Sequence, residues 1–168
     1  MRAALYGYHY RIDDLIERYQ PDLDNFLFRN RGRAEVRGVE LETQIDLPGR
    51  ITVEAAAQKA RGQALDPKSR LDGIAPVTAS LQVRHQITSR GFLQARVARY
   101  GDDEKPGPTE RVVPGYTLVD LGAGVTFRFL ELRGLVRNLF DENYFASQDV
   151  RTVAAPGRAA SLTAVVRF

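Results

Sequence analysis

Along most of this chain apolar and polar residues alternate one for one, the period of a β-strand whose two faces meet different surroundings. In "VTASLQVRHQI", Val77, Ala79, Leu81, Val83, His85 and Ile87 fall on one face, and Thr78, Ser80, Gln82, Arg84 and Gln86 on the other. "ITVEAAAQ" sets Ile51, Val53, Ala55 and Ala57 against Thr52, Glu54 and Gln58, and "FLQARVARY" sets Leu93, Ala95 and Val97 against Gln94 and Arg96. "YTLVDLGAGVTF" and the closing "SLTAVVRF" repeat the pattern. Near the start Tyr6, Tyr8, Tyr10 and Ile12 share a face, and further on Val39, Leu41, Thr43 and Ile45 oppose Glu40, Glu42 and Gln44. The apolar parity before Gly38 (Ala34, Val36) does not match the parity after it, and a glycine at such a slip predicts a bulge or kink.

These segments predict an all-β fold of eight antiparallel strands in an up-and-down meander, at about 2–18, 26–46, 51–62, 74–88, 91–101, 114–127, 131–140 and 158–168. The connections sharpen the picture. "LPGR", the "SR" pair at 89–90 and "RFL" at 128–130 are tight turns, whereas "YQPDLDN", "GQALDPKSRLDG", "DDEKPGPTERVV" and "DENYFASQDVRTVAAPG" are long and polar. Short and long alternate, so tight turns gather at one end of the sheet and long loops at the other, as in outer-membrane barrels. Several strands reach the roughly 9–11 residues that a bilayer-spanning strand needs. The apolar faces are rich in Ala and Val, a poor filling for a packed soluble interior. A transmembrane barrel is therefore preferred to a soluble ligand-binding barrel with its apolar face inward.

Composition changes this little. With 43% hydrophobic and 27% charged residues the chain resembles a soluble protein, but alternating membrane strands average to the same hydropathy. No run of about 18 apolar residues offers a transmembrane helix. The net charge is +3, and its arginines are spread among acids rather than blocked together, which argues against a nucleic-acid partner. Cysteine is absent, which removes disulfides, thiolate metal sites and thiol nucleophiles. His9 and His85 stand far apart with no clustered carboxylates, "DDE" at 102–104 lacks a calcium-loop spacing, and "GAG" inside a strand is no phosphate loop. No catalytic or metal-ligating constellation is found, and no cofactor is expected. "MRAALYGYHYRIDDLI" has no apolar core of a signal peptide.

Five segments together resemble the TonB-dependent receptors of the bacterial outer membrane. "RNRGRAEVRGVELE" matches a family strand through Asn30, Gly32, Ala34, Gly38, Val39 and Glu40; "DGIAPVTASLQV" places Pro76 at a strand start; "PGYTLVDLGAGVTF" carries Tyr116 and Asp120. "VRNLFDENY" is the most specific, with Asn138, Leu139, Phe140, Asp141 and Tyr144 in place, and "PGRAASLTAVVRF" supplies Gly157 and Arg158 ahead of a closing strand. On this resemblance "NLFDENY" ends the penultimate strand and enters the last external loop. Leu162, Ala164, Val166 and terminal Phe168 then form the signal that the outer-membrane assembly machinery reads.

The resemblance implies an outer-membrane receptor of a Gram-negative bacterium that imports a scarce nutrient, foremost a ferric siderophore. Residues 1–168 would be the C-terminal segment of a barrel of about 22 strands, either as an open curved sheet or closed into a small barrel. The family's signal peptide, plug domain and the box that engages the TonB energy-coupling protein have no match here, so a segment alone is not expected to transport. Glu42, Arg84, Arg96, Arg133, Arg137 and Arg167 are candidate lumen-facing polar residues. The arginines among them either pair with Glu40, Glu42, Glu54 and Asp120 or capture an anionic, siderophore-like ligand. A complete eight-stranded outer-membrane barrel with a structural or adhesive role is the alternative within the same architecture.

Overall fold

The structure, a computed structural model, describes residues 1–22 and 24–167. Among them the strands are β1 (Arg2–Ile12), β2 (Ile16–Tyr19), β3 (Leu27–Asn30), β4 (Ala34–Leu47), β5 (Ile51–Leu65), β6 (Lys68–Arg70), β7 (Thr78–His85), β8 (Gly91–Tyr100), β9 (Tyr116–Phe127), β10 (Leu130–Arg137) and β11 (Ala159–Val166). One antiparallel sheet runs in the order β1-β4-β5-β7-β8-β9-β10-β11, with β6 added to the end of β5, while β2 and β3 form a separate hairpin. The eight strands expected from alternation are the eight of this meander. The sheet is open: β1 and β11 are its two edges. The tight turns at 48–50, 86–90 and 128–129 lie at one end, and the loops 13–33, 66–77, 101–115 and 138–158 at the other.

Two expectations need correction. The strands read at 2–18 and 26–46 each break before the loop: the chain leaves the sheet after Ile12 and re-enters at Ala34, and its outlying part pairs with itself as β2–β3. Gly38 carries no bulge. The β1–β4 register runs unbroken from Arg2↔Gln44 to Ile12↔Ala34, and the β4–β5 register from Ala34↔Ala64 to Leu47↔Ile51. A β-carbon on Gly38 would lie 2.5 Å from Tyr8 Cζ and 2.8 Å from the Lys59 carbonyl oxygen, so the glycine makes room for the Tyr8 ring. The parity switch has another cause, because the surroundings change along β4. Past Gly38 the outward face, Val39 and Leu41, is apolar; before it the inward face is, where Ala34 and Val36 pack with Ala64, Leu71, Ile12 and Ile74 beneath the loops.

Facing residues of paired strands lie on the same side of a sheet. The pairings therefore collect Leu41, Val53, Leu81, Val83, Leu93, Val97, Leu121 and Leu162 on one face and Glu40, Glu42, Glu54, Gln82, Arg84, Arg96 and Asp120 on the other. The tyrosine column of β1 belongs to the second face, since Tyr6 lies opposite Glu40 and Tyr8 opposite Gly38. In β7 the polar residues are the shielded ones and the apolar residues the exposed ones. Leu81, Leu93 and Leu121 are 47%, 51% and 41% exposed. This inverts a soluble interior, and the buried apolar residues do not extend beyond the small cluster at the loop end and a few rim positions. Such a face is stable against hydrocarbon and unfavourable against water.

The face assignment predicts unequal effects of the same new charge. In the full-length protein refolded into lipid vesicles, Leu121→Arg is expected to lower the unfolding free energy by about 2–4 kcal/mol. Ser80→Arg, on the polar face, should change it by about 0.5 kcal/mol or less. Denaturant titration checks both, and equal losses would invalidate the assignment.

Candidate functional site

The polar face holds a row of side chains running across the strands. Gln82 donates to Glu54 at 3.0 Å, Arg96 lies 3.8 Å from Asp120, and Arg84 donates weakly to Gln94 at 3.4 Å while its guanidinium sits 3.5 Å above the Phe92 ring. Gln82, Gln94, Arg96, Asp120, Leu135 and Arg137 surround a depression of about 350 Å³. Arg133 donates to Glu131 at 2.6 Å and Arg167 at 3.3 Å, near the turn end. Of the arginine pairings expected with Glu40, Glu42, Glu54 and Asp120, only Arg96–Asp120 forms among the described residues. Glu54 takes a glutamine instead, and Arg137 has no ion-pair partner there. The strand register explains this: Glu40 faces Tyr6 and Gln58, and Glu42 faces Ala4 and Ala56, so no arginine stands directly opposite either.

The motif residues build the turns at the loop end of this face. Gly32, in the left-handed region at φ 77°, donates its N–H to Asn30 Oδ1 at 2.8 Å, and Asn30 Nδ2 reaches Asp14 at 3.2 Å. This turn redirects the chain from the β2–β3 hairpin into β4, a bend that a side chain at position 32 would strain. Asn138, also left-handed at φ 50° and buried, locks "NLFDE" on itself. Its amide donates to the Glu142 carbonyl and accepts the Glu142 N–H, both at 2.8 Å. Its own N–H donates to Asp120 on β9 at 3.0 Å. Asp141 accepts the Arg158 N–H at 2.6 Å and occupies the space a side chain on Gly157 would need. The motif thus fastens the end of β10 to β9 and to the entrance of β11. Tyr116 stacks between Tyr100 (4.5 Å between ring centroids) and Tyr144 (4.3 Å), joining β8, β9 and the last loop. Leu139 and Phe140 continue the turn, with Phe140 exposed. At the far end Leu162, Ala164 and Val166 line the apolar face of β11; Phe168 lies outside the described residues.

Above the polar face the four long loops are cross-linked through side chains that sequence reading did not single out. Thr109 is fully buried. Its hydroxyl donates to Asp72 at 2.6 Å and accepts from Arg18 at 2.8 and 3.0 Å. Arg18 also donates to Asp149 at 3.0 Å, so residues from all four loops meet within one network. Further links flank it: Arg31 donates to Ser69 at 2.8 Å, Glu110 accepts from the Gly73 N–H at 2.7 Å, and Gln148 donates to Asp103 at 2.6 Å. Hydrogen bonds from Arg151, joined by Arg18, hold the Asp149 carboxyl well below the usual carboxylate range. No periodicity marks these positions, because a loop side chain's partner depends on how loops lie over one another. Among the described residues no group of three or more His, Cys, Asp or Glu could hold a metal ion.

Two measurements test this account. Asn138→Ala leaves the Glu142 N–H and carbonyl unpaired and is expected to cost about 1–3 kcal/mol in equilibrium unfolding. A carboxyl with a depressed native pKa contributes its stability above its unfolded value, near 3.8 for Asp149, and loses it only as pH falls through the lower native value. Loop protection from protease should therefore hold from neutral pH down to about 4 and fall below it. In Thr109→Val, cleavage of all four loops should already be raised at neutral pH.

Comparison with known proteins places these features. The family described as "TonB dependent receptor-like, beta-barrel" matches residues 2–139. Among solved structures, the copper transporter OprC superposes with a TM-score of 0.88 at 19% identity, over 99% of this chain and 29% of that one. A mutant of the ferric enterobactin receptor PfeA of Pseudomonas aeruginosa gives 0.77 at 19% identity, over 99% and 29%. The ferric-catecholate import receptor Fiu of E. coli K12 gives 0.67 at 23%, over 99% and 25%. The chain thus spans between a quarter and a third of the length of these structures. No curated protein sequence matches. With the family matched across most of its length and the same strand architecture, the chain belongs to the TonB-dependent receptors, within their β-barrel.

Proposed function

We propose that this chain supplies the last eight wall strands of an outer-membrane receptor that imports a ferric siderophore, its polar face turned to the lumen and its four loops to the cell exterior. The observation that carries the reading is the inverted sheet, with leucines and valines exposed on one face and a shielded row of arginine, glutamine and carboxylate on the other. The two unpaired edges of the sheet fit the reading, since wall strands of a wider barrel continue on both sides. In this reading Arg96 and Arg137 offer guanidinium groups to an anionic iron complex passing beneath the loops, where Arg suits bidentate contacts to carboxylate or catecholate oxygen. The similar solved structures include a copper transporter and a ferric enterobactin receptor. Iron is favoured because the cations and amides of the polar face, Arg84, Arg96, Arg137, Gln82 and Gln94, suit a bulky anion.

The test is uptake by the full-length gene product, expressed in cells lacking their own siderophore receptors. Radioactive iron delivered as a catecholate siderophore should accumulate, and accumulation should stop when the proton gradient is collapsed. Arg96→Gln combined with Arg137→Gln should lower uptake severalfold at unchanged surface abundance. Accumulation of copper with no siderophore-dependent iron uptake would replace this substrate with the metal ion itself.

A further inference from the structure

Directly beyond the exposed apolar face, on the same side of the sheet, lie cations with no ion-pair or hydrogen-bond partner among the described residues. Arg11 on β1 stands opposite Glu35, and a group of three follows: Arg37 on β4, and Lys59 and Arg61 on β5. Their placement is fixed by register. Arg37 stands opposite Arg61, and Lys59 stands opposite Val39, which is itself exposed. All three are exposed. Like charges directly opposite one another across an antiparallel pair are destabilising; neither arginine has an ion pair among the described residues, and Arg37 feels Glu35 only at longer range. The same-face acid in reach, Glu35, is taken by His9 at 3.3 Å and Gln63 at 2.5 Å. The three cations line one side of an open basin of about 750 Å³ between β5 and the second and third loops. On its other side Asp102 accepts the Gly115 N–H, and Asp103 is engaged by Gln148 and Arg70, which leaves Glu104 as the uncommitted acid.

We propose that Arg37, Lys59 and Arg61 form an outward-facing site for the phosphate of a membrane lipid headgroup. The site sits where the apolar wall formed by Val39 and Leu41 gives way to charge, which is the depth at which headgroups meet a spanning strand. Two opposed guanidiniums can share the oxygens of one phosphate, turning the repulsive Arg37–Arg61 pair into a clamp, while Lys59 adds a point charge from the apolar side. A dissolved anion would supply the same charge but would not be held there by acyl chains packed against Val39 and Leu41.

The inference rests on the membrane-spanning reading of the sheet, and its test separates the two. Full-length protein is inserted into phosphatidylcholine vesicles with and without phosphatidic acid, and bound lipid is counted by native mass spectrometry after detergent extraction. The wild type should retain phosphatidic acid in preference to phosphatidylcholine, and inorganic phosphate should not displace it. The triple variant Arg37→Gln, Lys59→Gln, Arg61→Gln should bind phosphatidic acid about a hundredfold more weakly, roughly fivefold for each of the three charges lost. Arg37→Lys with Arg61→Lys, which keeps the charge, should retain most of the preference, and resistance of the folded band to unheated SDS confirms that each variant folds. Equal retention by wild type and triple variant, or displacement by inorganic phosphate, would overturn the lipid site. Failure to insert into either vesicle would instead overturn the membrane reading beneath it.

Discussion

In hydrocarbon a backbone N–H or C=O has no water to turn to, so each must find a partner within the protein. Between its two edge strands the sheet satisfies this: every register between neighbouring long strands runs without interruption, including through Gly38. Where the ladder stops at the loop end, side-chain amides and carboxylates take over. Asn30 caps the entry to β4, Asn138 closes the exit of β10, and Asp120 and Asp141 receive the backbone N–H groups of Asn138 and Arg158. The motif residues are those that finish the pairing where regular hydrogen bonding runs out. Their types follow from the task, since Asn and Asp offer short polar groups and Asn tolerates a left-handed backbone.

The same constraint explains the choice of side chains on each face. A wall one strand thick has no interior to fill, so Ala and Val suffice where a packed core would demand larger residues. Polar residues gather on the opposite face, and the cross-strand neighbours then decide which of them pair. Arg96 finds Asp120 because β8 and β9 bring them opposite one another, whereas Glu40 and Glu42 find no arginine. Charge balance across such a face is local to a pair of strands.

Period-two alternation made the strands, the meander and both faces legible in the sequence, since each strand meets two different media. The loop lengths told that the tight turns and the long loops gather at opposite ends. Legibility failed where the medium changes along a strand. Ala34 and Val36 are apolar because they face the small cluster under the loops, while Val39 and Leu41 are apolar because they face outward, and the switch between them imitates a bulge. It failed again for the break after Ile12, where Asp14 turns left-handed and the chain leaves the sheet. Motif positions could be named from resemblance, but their roles as turn locks needed coordinates. The loop network was hidden altogether, because Arg18, Asp72, Thr109 and Asp149 are separated by up to 131 residues and each looks like an ordinary solvated loop residue.

That network bears on how such a surface can change over generations. Loops are ordinarily free to drift, lengthen and exchange one at a time, which lets one scaffold acquire new recognition. Here a network centred on the Thr109 hydroxyl and the Arg18 guanidinium, with flanking links between neighbouring loops, binds the four loops into one unit. An insertion in any one of them disturbs anchors belonging to the others, so the canopy must diversify as a block, by coordinated replacement or by first giving up several of these links.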